Sequence, residues 1–240
     1  MADDHHHHEH MVHNHRDVQG GTARAAVFGI SDGLVSNVAL IIGVAAADTG
    51  SSTVVVAGVA GLLAGAASMA AGEYVSVKAQ SELIEYELDR ERISIAEKPQ
   101  LETRELAAIY TKRGIHHDQA MQMAEAVHAD PEIALEVHAR EELGVDPSET
   151  GQPIAAAASS FVAFSIGALI PLLPWLFGDG TTTLIVSVLL ALAAGAGVGL
   201  ALAFFTGKSK IRTVARQVLL GSGACLLTWL IGSLLGASVS

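Results

Sequence analysis

The stretch GSSTVVVAGVAGLLAGAASMAAG, residues 50–72, contains no charged side chain. It is long enough to cross a lipid bilayer, because a spanning helix needs about 20 mainly apolar residues. Four more windows share this character, and only one of them, residues 25–47, holds a charge, at Asp32. Five such helices in a soluble protein would leave too little polar surface. The windows therefore predict an all-α membrane protein with five transmembrane helices, at about residues 25–47, 53–76, 154–177, 182–206 and 214–238.

The remaining charge is concentrated in one block, residues 78–150. This block holds 17 Asp and Glu against 8 Lys and Arg, so it carries −9 of the formal net charge of −11. An acidic block disfavours nucleic acid and anionic lipid as partners and favours cations. The single cysteine, Cys225, lies in an apolar window and cannot form a disulfide within the chain.

Basic residues predict the orientation, because they collect on the cytosolic side of membrane proteins. Arg16 and Arg24 precede the first window, and four more basic residues lie in the connection at residues 207–216. The N-terminus and the 78–150 block are therefore expected in the cytosol and the C-terminus outside. A cleaved signal peptide is the alternative for the first window, although the region before it is His-rich and Asp32 interrupts it. Without an organellar address, the expected location is a prokaryotic cell (inner) membrane.

The chain divides into four predicted segments. Residues 1–22 form a polar tail with seven histidines in its first 15 residues, expected to be disordered. This tail is either a cloning tag or a native segment that captures divalent metal weakly. Residues 23–77 are assigned to transmembrane helices 1 and 2, residues 78–150 to a cytosolic helical metal-binding insert, and residues 151–240 to helices 3–5.

Within the insert, the sequence predicts a long helix followed by three short ones. No proline occurs between Ala66 and Pro99, so the second transmembrane helix is expected to leave the membrane as one rod of about 40 residues. Shorter helices are expected at about residues 101–113 and 117–128, and from Pro131 to Gly144, where proline and glycine mark the ends.

Two positions in the transmembrane windows indicate a pathway for metal ions. Asp32 lies about one turn into its helix, where a carboxylate is costly unless it meets a partner or water, and Ser36 and Asn37 extend a polar stripe from it. Met69 and Glu73 are four residues apart and share a helix face. A thioether beside a carboxylate suits a borderline transition metal better than Mg²⁺ or Ca²⁺. The alternatives are a hydrated aspartate at the membrane edge and a methionine that only packs.

Small residues in these windows favour close helix packing. GxxxG pairs occur at Gly61–Gly65, Gly195–Gly199 and Gly232–Gly236. Such pairs let helix backbones approach, which either a homodimer or a narrow pathway requires.

Carboxylates and one imidazole recur at helical spacing in the acidic block. If they converge from three helices, they form an oxygen-rich site for Fe²⁺, Mn²⁺ or Zn²⁺. The alternative is an ordinary solvated helix face. The candidates are Glu87 with Glu91, Glu102 with Glu105, and His138 with Glu142.

Several motifs resemble the vacuolar iron transporter family, most strongly its prokaryotic branch. They occur in the family's order as SDGLVSNVALIIG, GLLAGAASMAAGEYVSV, LETRELAAIYTKRGI, HAREELG and GALIPLLP. The resemblance covers about residues 24–238. It implies a dimeric five-helix exporter that moves Fe²⁺, and often Mn²⁺, out of the cytosol against protons.

The resemblance also assigns roles to individual residues. Asp32 and Met69 match the pathway aspartate and methionine. Metal-binding glutamates of the insert are matched by Glu91, Glu102, Glu105 and Glu142. Three departures from the family's pattern concern metal preference and stoichiometry. Ser94 stands where the family has a glutamate, and His138 stands where it has a methionine. Gly61 stands where the family has a pathway glutamate, and Glu73 takes the place of that glutamate at another level of the helix.

The sequence thus predicts an exporter in which the insert captures metal and passes it to Asp32, Met69 and Glu73, where protonation releases it. A Mn²⁺-preferring or broad divalent exporter is one alternative, and a membrane-anchored metal store or sensor is another. An enzyme is not expected, because no HExxH lies on a predicted helix. No prosthetic group is expected either.

Overall fold

The computed structural model describes residues 21–47, 50–147 and 151–239. These residues form helices and turns, with no strand among them. The α-helices are α1 (Gly21–Ala46), α2 (Ser51–Glu97), α3 (Pro99–Lys112), α4 (His117–Val127), α5 (Pro131–His138), α6 (Pro153–Leu172), α7 (Gly180–Thr206) and α8 (Lys210–Val239). A π-helical turn, Ala139–Leu143, follows α5, and a 3₁₀ turn, Leu173–Leu176, follows α6. Most of the predicted tail, residues 1–20, lies outside the described residues.

Five of these helices are long and apolar enough to cross a membrane: α1, α2, α6 with its 3₁₀ turn, α7 and α8. This confirms the prediction of an all-helical protein with five spanning segments, for the residues that the structure describes. Helices α3, α4 and α5 lie between the second and third of these segments.

Contacts between the helices give their relative directions. The Ser159 hydroxyl donates to the Thr22 carbonyl at 3.0 Å near the start of both α1 and α6, so these two helices run parallel. Glu73, near the middle of α2 and at the insert end of its spanning part, lies beside Arg24 near the start of α1, so α2 runs antiparallel to them. The insert helices therefore lie beyond the end of the bundle where α1 and α6 begin.

The α1–α6 crossing is a close backbone contact. A Cβ atom built on Gly33 would meet the Phe164 backbone, with the carbonyl carbon at 2.9 Å, and one built on Gly29 would meet the Ser160 carbonyl oxygen at 2.9 Å. On the other side, Gly167 faces the Ile30 backbone. Glycine is required at these positions because any side chain would separate the helices. Gly29 and Gly33 form a GxxxG pair in addition to those predicted to favour close packing.

Helix α2 is one continuous rod of 47 residues, or about 70 Å at 1.5 Å per residue. The prediction of an unbroken helix that ends before Pro99 is confirmed. Pro99 occupies the first turn of α3, where its missing N–H costs no hydrogen bond.

The insert has two small apolar cores that fix its helices. Leu106 and Ala107 of α3 pack with Ala120 and Ala124 of α4. Ile95 of α2 packs with Ala134 and Leu135 of α5. The α5 start is as predicted, with Asp130 accepting a hydrogen bond from the Glu132 N–H at 2.9 Å. The predicted helix to Gly144 is wrong in one respect: regular α-helix ends at His138, and the last turn is the wider π form.

Candidate functional site

A cavity of about 320 Å³ lies between α1 and α2 within the spanning segments. Asp32 of α1 and Met69 of α2, which the sequence predicted as pathway residues, both line it, and Phe164 of α6 is part of its wall. The other lining residues are Ser36, Asn37, Leu40, Gly61, Gly65 and Ser68. The structure therefore brings a carboxylate and a thioether to one cavity.

Glycines of α2 let the helices approach around this cavity. A Cβ atom on Gly61 would lie 3.1 Å from the Asn37 amide oxygen and closer still to the Leu40 side chain. A Cβ atom on Gly65 would overlap the Phe164 ring. The predicted GxxxG pair Gly61–Gly65 thus packs against helices of its own chain.

Asn37 is a further polar group of the cavity, predicted as part of the polar stripe but not as a metal ligand. Its side chain is 2% exposed, and its amide nitrogen donates to the Ala168 carbonyl at 2.6 Å. Its amide oxygen has no hydrogen-bond partner among the described residues. A buried oxygen without a partner is costly unless a ligand or water meets it. The polar stripe from Asp32 was the sequence signal for this residue.

Glu73 lies beside a basic residue of α1. It is not among the described residues that line the cavity, and its Oε1 lies 3.5 Å from Nη2 of Arg24. Glu73 is one turn beyond Met69 toward the insert, about 6 Å along the helix, which brings it level with this arginine. Glu73 therefore lies outside the cavity that Asp32 and Met69 line. Whether it binds metal stays a prediction.

The second candidate site lies in the insert and contains Glu91, His138 and Glu142. Their ligand atoms lie within 4.8 Å of one another. The His138 Nδ1 atom is 3.0 Å from Glu91 Oε1 and 2.7 Å from Glu142 Oε1. The His138 side chain is fully buried. Two carboxylates and an imidazole in this arrangement match the ligand types of Fe²⁺, Mn²⁺ and Zn²⁺ sites.

Three separate elements position these ligands. Glu91 projects from the rod α2, His138 is the last residue of α5, and Glu142 lies in the π-helical turn. Glu141 ties this turn to the end of α3 through an ion pair with Arg113. The turn then ends at Gly144, whose φ of 66° is in the left-handed region that favours glycine.

The charges around this cluster repel one another in the absence of a cation. Burial, and then the neighbouring carboxylates, raise the pKa of Glu91, although His138 opposes this. Burial also raises the pKa of Glu142, with Glu105 and Glu102 adding to the effect. Burial lowers the pKa of His138, which favours its neutral, ligating form. A divalent cation would relieve the repulsion between the carboxylates.

Glu102 and Glu105, the remaining predicted ligands, lie near the cluster but outside the group of three. Both act electrostatically on Glu91 and Glu142. The Glu102 side chain is buried with a residue exposure of 5%, whereas Glu105 is exposed. Metal binding by either one stays a prediction.

His128 is a neighbour of the cluster that sequence reasoning missed. Its Nε2 atom lies 3.3 Å from Nε2 of His138, and the two rings are perpendicular. His128 ends α4, ten residues before His138, so helix periodicity gave no signal that they meet.

The comparisons with known proteins find relatives that match most of the chain. The VIT family model matches residues 23–233. Vacuolar iron transporter 1 of Arabidopsis thaliana is 29% identical over 220 residues, which cover 91% of this chain and 86% of that protein. The vacuolar iron transporter of Acanthamoeba castellanii is 34% identical over 220 residues, 89% of this chain and 78% of that protein. For vacuolar iron transporter 1 of Eucalyptus grandis the identity is 29% over 204 residues, 85% of this chain and 82% of that protein.

Proposed function

We propose, from the premise that this chain belongs to the VIT family, that it exports Fe²⁺ from the cytosol in exchange for protons. The family resemblance predicted from the motifs is confirmed. The chain is a multi-pass membrane protein that transports metal ions, and members of its family are transporters rather than enzymes. The preferred ion, the direction and the coupling to protons are the proposed part.

The observation that carries the proposal is the cavity between α1 and α2. The Asp32 carboxylate, the Asn37 amide oxygen and the Met69 thioether belong to residues that line one space between spanning helices. Polar groups at this depth are expensive and usually mark an ion pathway. The Asn37 oxygen has no hydrogen-bond partner among the described residues, which leaves it available to an ion or water.

The ligand types favour a borderline transition metal. Mg²⁺ and Ca²⁺ prefer oxygen ligands alone, whereas a thioether adds affinity for softer ions. Several relatives are named iron transporters, which supports Fe²⁺ as the ion. Mn²⁺ preference, or broad divalent export, is the alternative that competition experiments decide.

The insert is proposed to capture metal on the cytosolic side. The basic connection at residues 207–216 lies between α7 and α8, and α8 runs parallel to α1, with Gly221 near Val35 and Gly232 near Gly43. Its start is therefore at the same end of the bundle as the insert. The positive-inside rule supports a cytosolic location for that end. A prokaryotic cell membrane stays a prediction.

A homodimer is proposed to complete the pathway. In the single chain, only 17% of the α2 window and 6% of the α8 window are buried. Asp32 is itself exposed on one side of the cavity. A second copy packed against α1 and α2 would close that side and exclude lipid from the carboxylate.

The proposal is tested by metal uptake into proteoliposomes with an imposed pH gradient. Asp32→Asn and Met69→Leu keep the size of each side chain but remove the charge or the sulfur. Uptake of Fe²⁺ should fall at least about tenfold in each, since each removes one pathway ligand. Asp89→Asn and Met123→Leu are matched controls, because both wild-type residues are exposed outside the membrane.

The outcomes separate the parts of the proposal. Uptake that is unchanged in both pathway variants would rule out the cavity as the route. Uptake that does not depend on the pH gradient would contradict proton exchange but not metal transport. If Mn²⁺ competes for uptake more strongly than Fe²⁺ does, the preferred ion is Mn²⁺.

A further inference from the structure

Two imidazoles meet at the edge of the insert cluster in a defined arrangement. His138 directs Nδ1 toward Glu91 and Glu142, and directs Nε2 toward Nε2 of His128 at 3.3 Å. The other ring nitrogen of His128, Nδ1, lies 2.9 Å from the Ala124 carbonyl oxygen. The Ala124 carbonyl, His128 and His138 therefore lie in one line of polar contacts that reaches the two carboxylates.

The chemistry of the carbonyl fixes the direction of these contacts. A carbonyl oxygen only accepts, so Nδ1 of His128 must carry the hydrogen. In a neutral His128 ring, Nε2 then has the lone pair and accepts. The facing Nε2 of His138 must donate to it.

This direction decides which atom of His138 is available to a metal ion. With its hydrogen on Nε2, a neutral His138 has its lone pair on Nδ1, the atom that faces both carboxylates. Histidine ligands of metals usually donate their other ring N–H to a partner that fixes the tautomer and ring orientation. The Ala124 carbonyl and His128 supply such a partner here.

We propose that His128 is a positioning residue that holds His138 in the tautomer that binds metal through Nδ1. The inference rests on the proposed function, because it assigns a role within the insert site. His128 is not itself a ligand in this arrangement, since its one accepting nitrogen faces the His138 ring rather than the carboxylates. The last helical turn of α4 thus serves to orient a ligand on α5.

The test uses the full-length protein in detergent, with Co²⁺ as the probe and calorimetry and visible absorption as readouts. His128→Ala should weaken Co²⁺ binding at the insert by about 10- to 100-fold. His128→Gln should restore most of the affinity, because its amide oxygen can accept from His138. His116→Ala, at an exposed histidine of the same insert, is the matched control and should leave binding unchanged. The tail histidines add the same background to every variant.

A double-mutant cycle separates positioning from general destabilisation. In the His138→Ala background, His128→Ala should have no further effect, because the residue that it orients is gone. Three outcomes would each overturn the inference. In the first, His128→Ala lowers the Co²⁺ affinity equally in the wild-type and His138→Ala backgrounds. In the others, His128→Gln lowers it as much as His128→Ala does, or His128→Ala does not lower it at all.

A second measurement keeps this inference separate from the proposed function. Nitrogen-15 NMR of the histidine rings in the metal-free protein should show His128 with its hydrogen on Nδ1. The opposite tautomer would refute the inference whether or not the insert binds metal. If His138→Ala leaves Co²⁺ binding unchanged, the insert site itself fails instead.

Discussion

Replacing Gly33 by alanine should separate α1 from α6 and destabilise the membrane bundle. The new Cβ atom would lie 2.9 Å from the Phe164 carbonyl carbon and 3.0 Å from its Cα, with the carbonyl oxygen closer still. Ordinary contacts of this kind begin at 3.4 Å. All three obstacles are backbone atoms, so no side-chain rotation can relieve the overlap. One helix must therefore move by about half an ångström or more.

Overpacking of this kind costs about 1–3 kcal/mol. In a protein of this size, each kcal/mol lowers the melting temperature by about 2–4 °C, so the expected loss is about 2–12 °C. Because Gly33 follows Asp32 in the chain, the displacement also moves the carboxylate relative to Met69. Metal uptake should then fall together with stability.

The assay is thermal unfolding of the purified protein in detergent, followed by uptake in proteoliposomes. Gly197→Ala in α7 is the matched control, because nothing lies within 4 Å of the added Cβ atom. It should melt at the wild-type temperature or slightly above, since alanine is the better helix former. Equal melting temperatures for the two variants would refute the close α1–α6 contact.

Three further predictions concern the insert. Because the pKa values of Glu91 and Glu142 are raised, protons should compete with metal at a higher pH than at an ordinary carboxylate. The Co²⁺ affinity should therefore fall as the pH is lowered from about 7 to about 5. Arg113→Gln, which frees Glu141 from its ion pair, should weaken Co²⁺ binding by at most about fivefold in the same titration. Ile95→Ala should cost about 2–5 kcal/mol and speed hydrogen exchange in α5 but not in α1.

Each of these predictions has a contradicting outcome. Affinity that is constant over this pH range would show that the carboxylates are not ligands. Lys112→Gln is the control for Arg113→Gln, and an equal effect of both would indicate loss of general charge only. Ile93→Ala, at an exposed position of the same rod, is the control for Ile95→Ala. Equal exchange in those two variants would contradict the apolar contact between α2 and α5.

The spanning helices and the long rod could be predicted because their signals are local. Charge-free windows report length and hydrophobicity directly, and Pro99 marks the end of α2. The pairing of Asp32 with Met69 across one cavity was predicted from ligand chemistry and family motifs. The structure brings both residues to that cavity.

Other features depended on contacts between distant parts of the chain. Glu73 was grouped with Met69 by helix periodicity, but the position of Arg24 on a neighbouring helix decides its partner. His128 and His138 meet only because the turn after α4 folds α5 back. The π-helical turn after His138 has no sequence signature comparable to a proline or a GxxxG pair.

The unbroken helix α2 also fixes the distance and the relative orientation of the two candidate sites along its axis. Glu91 and Met69 are 22 residues apart, which is about 33 Å along a straight axis and about 40° in angular phase. Glu73 and Glu91 are 18 residues apart, five full turns, so they have the same phase. Inserting one residue between them would rotate Glu91 by about 100° about the helix axis relative to Glu73. The number of residues in this rod therefore sets the alignment of the two sites as firmly as the identity of their ligands does.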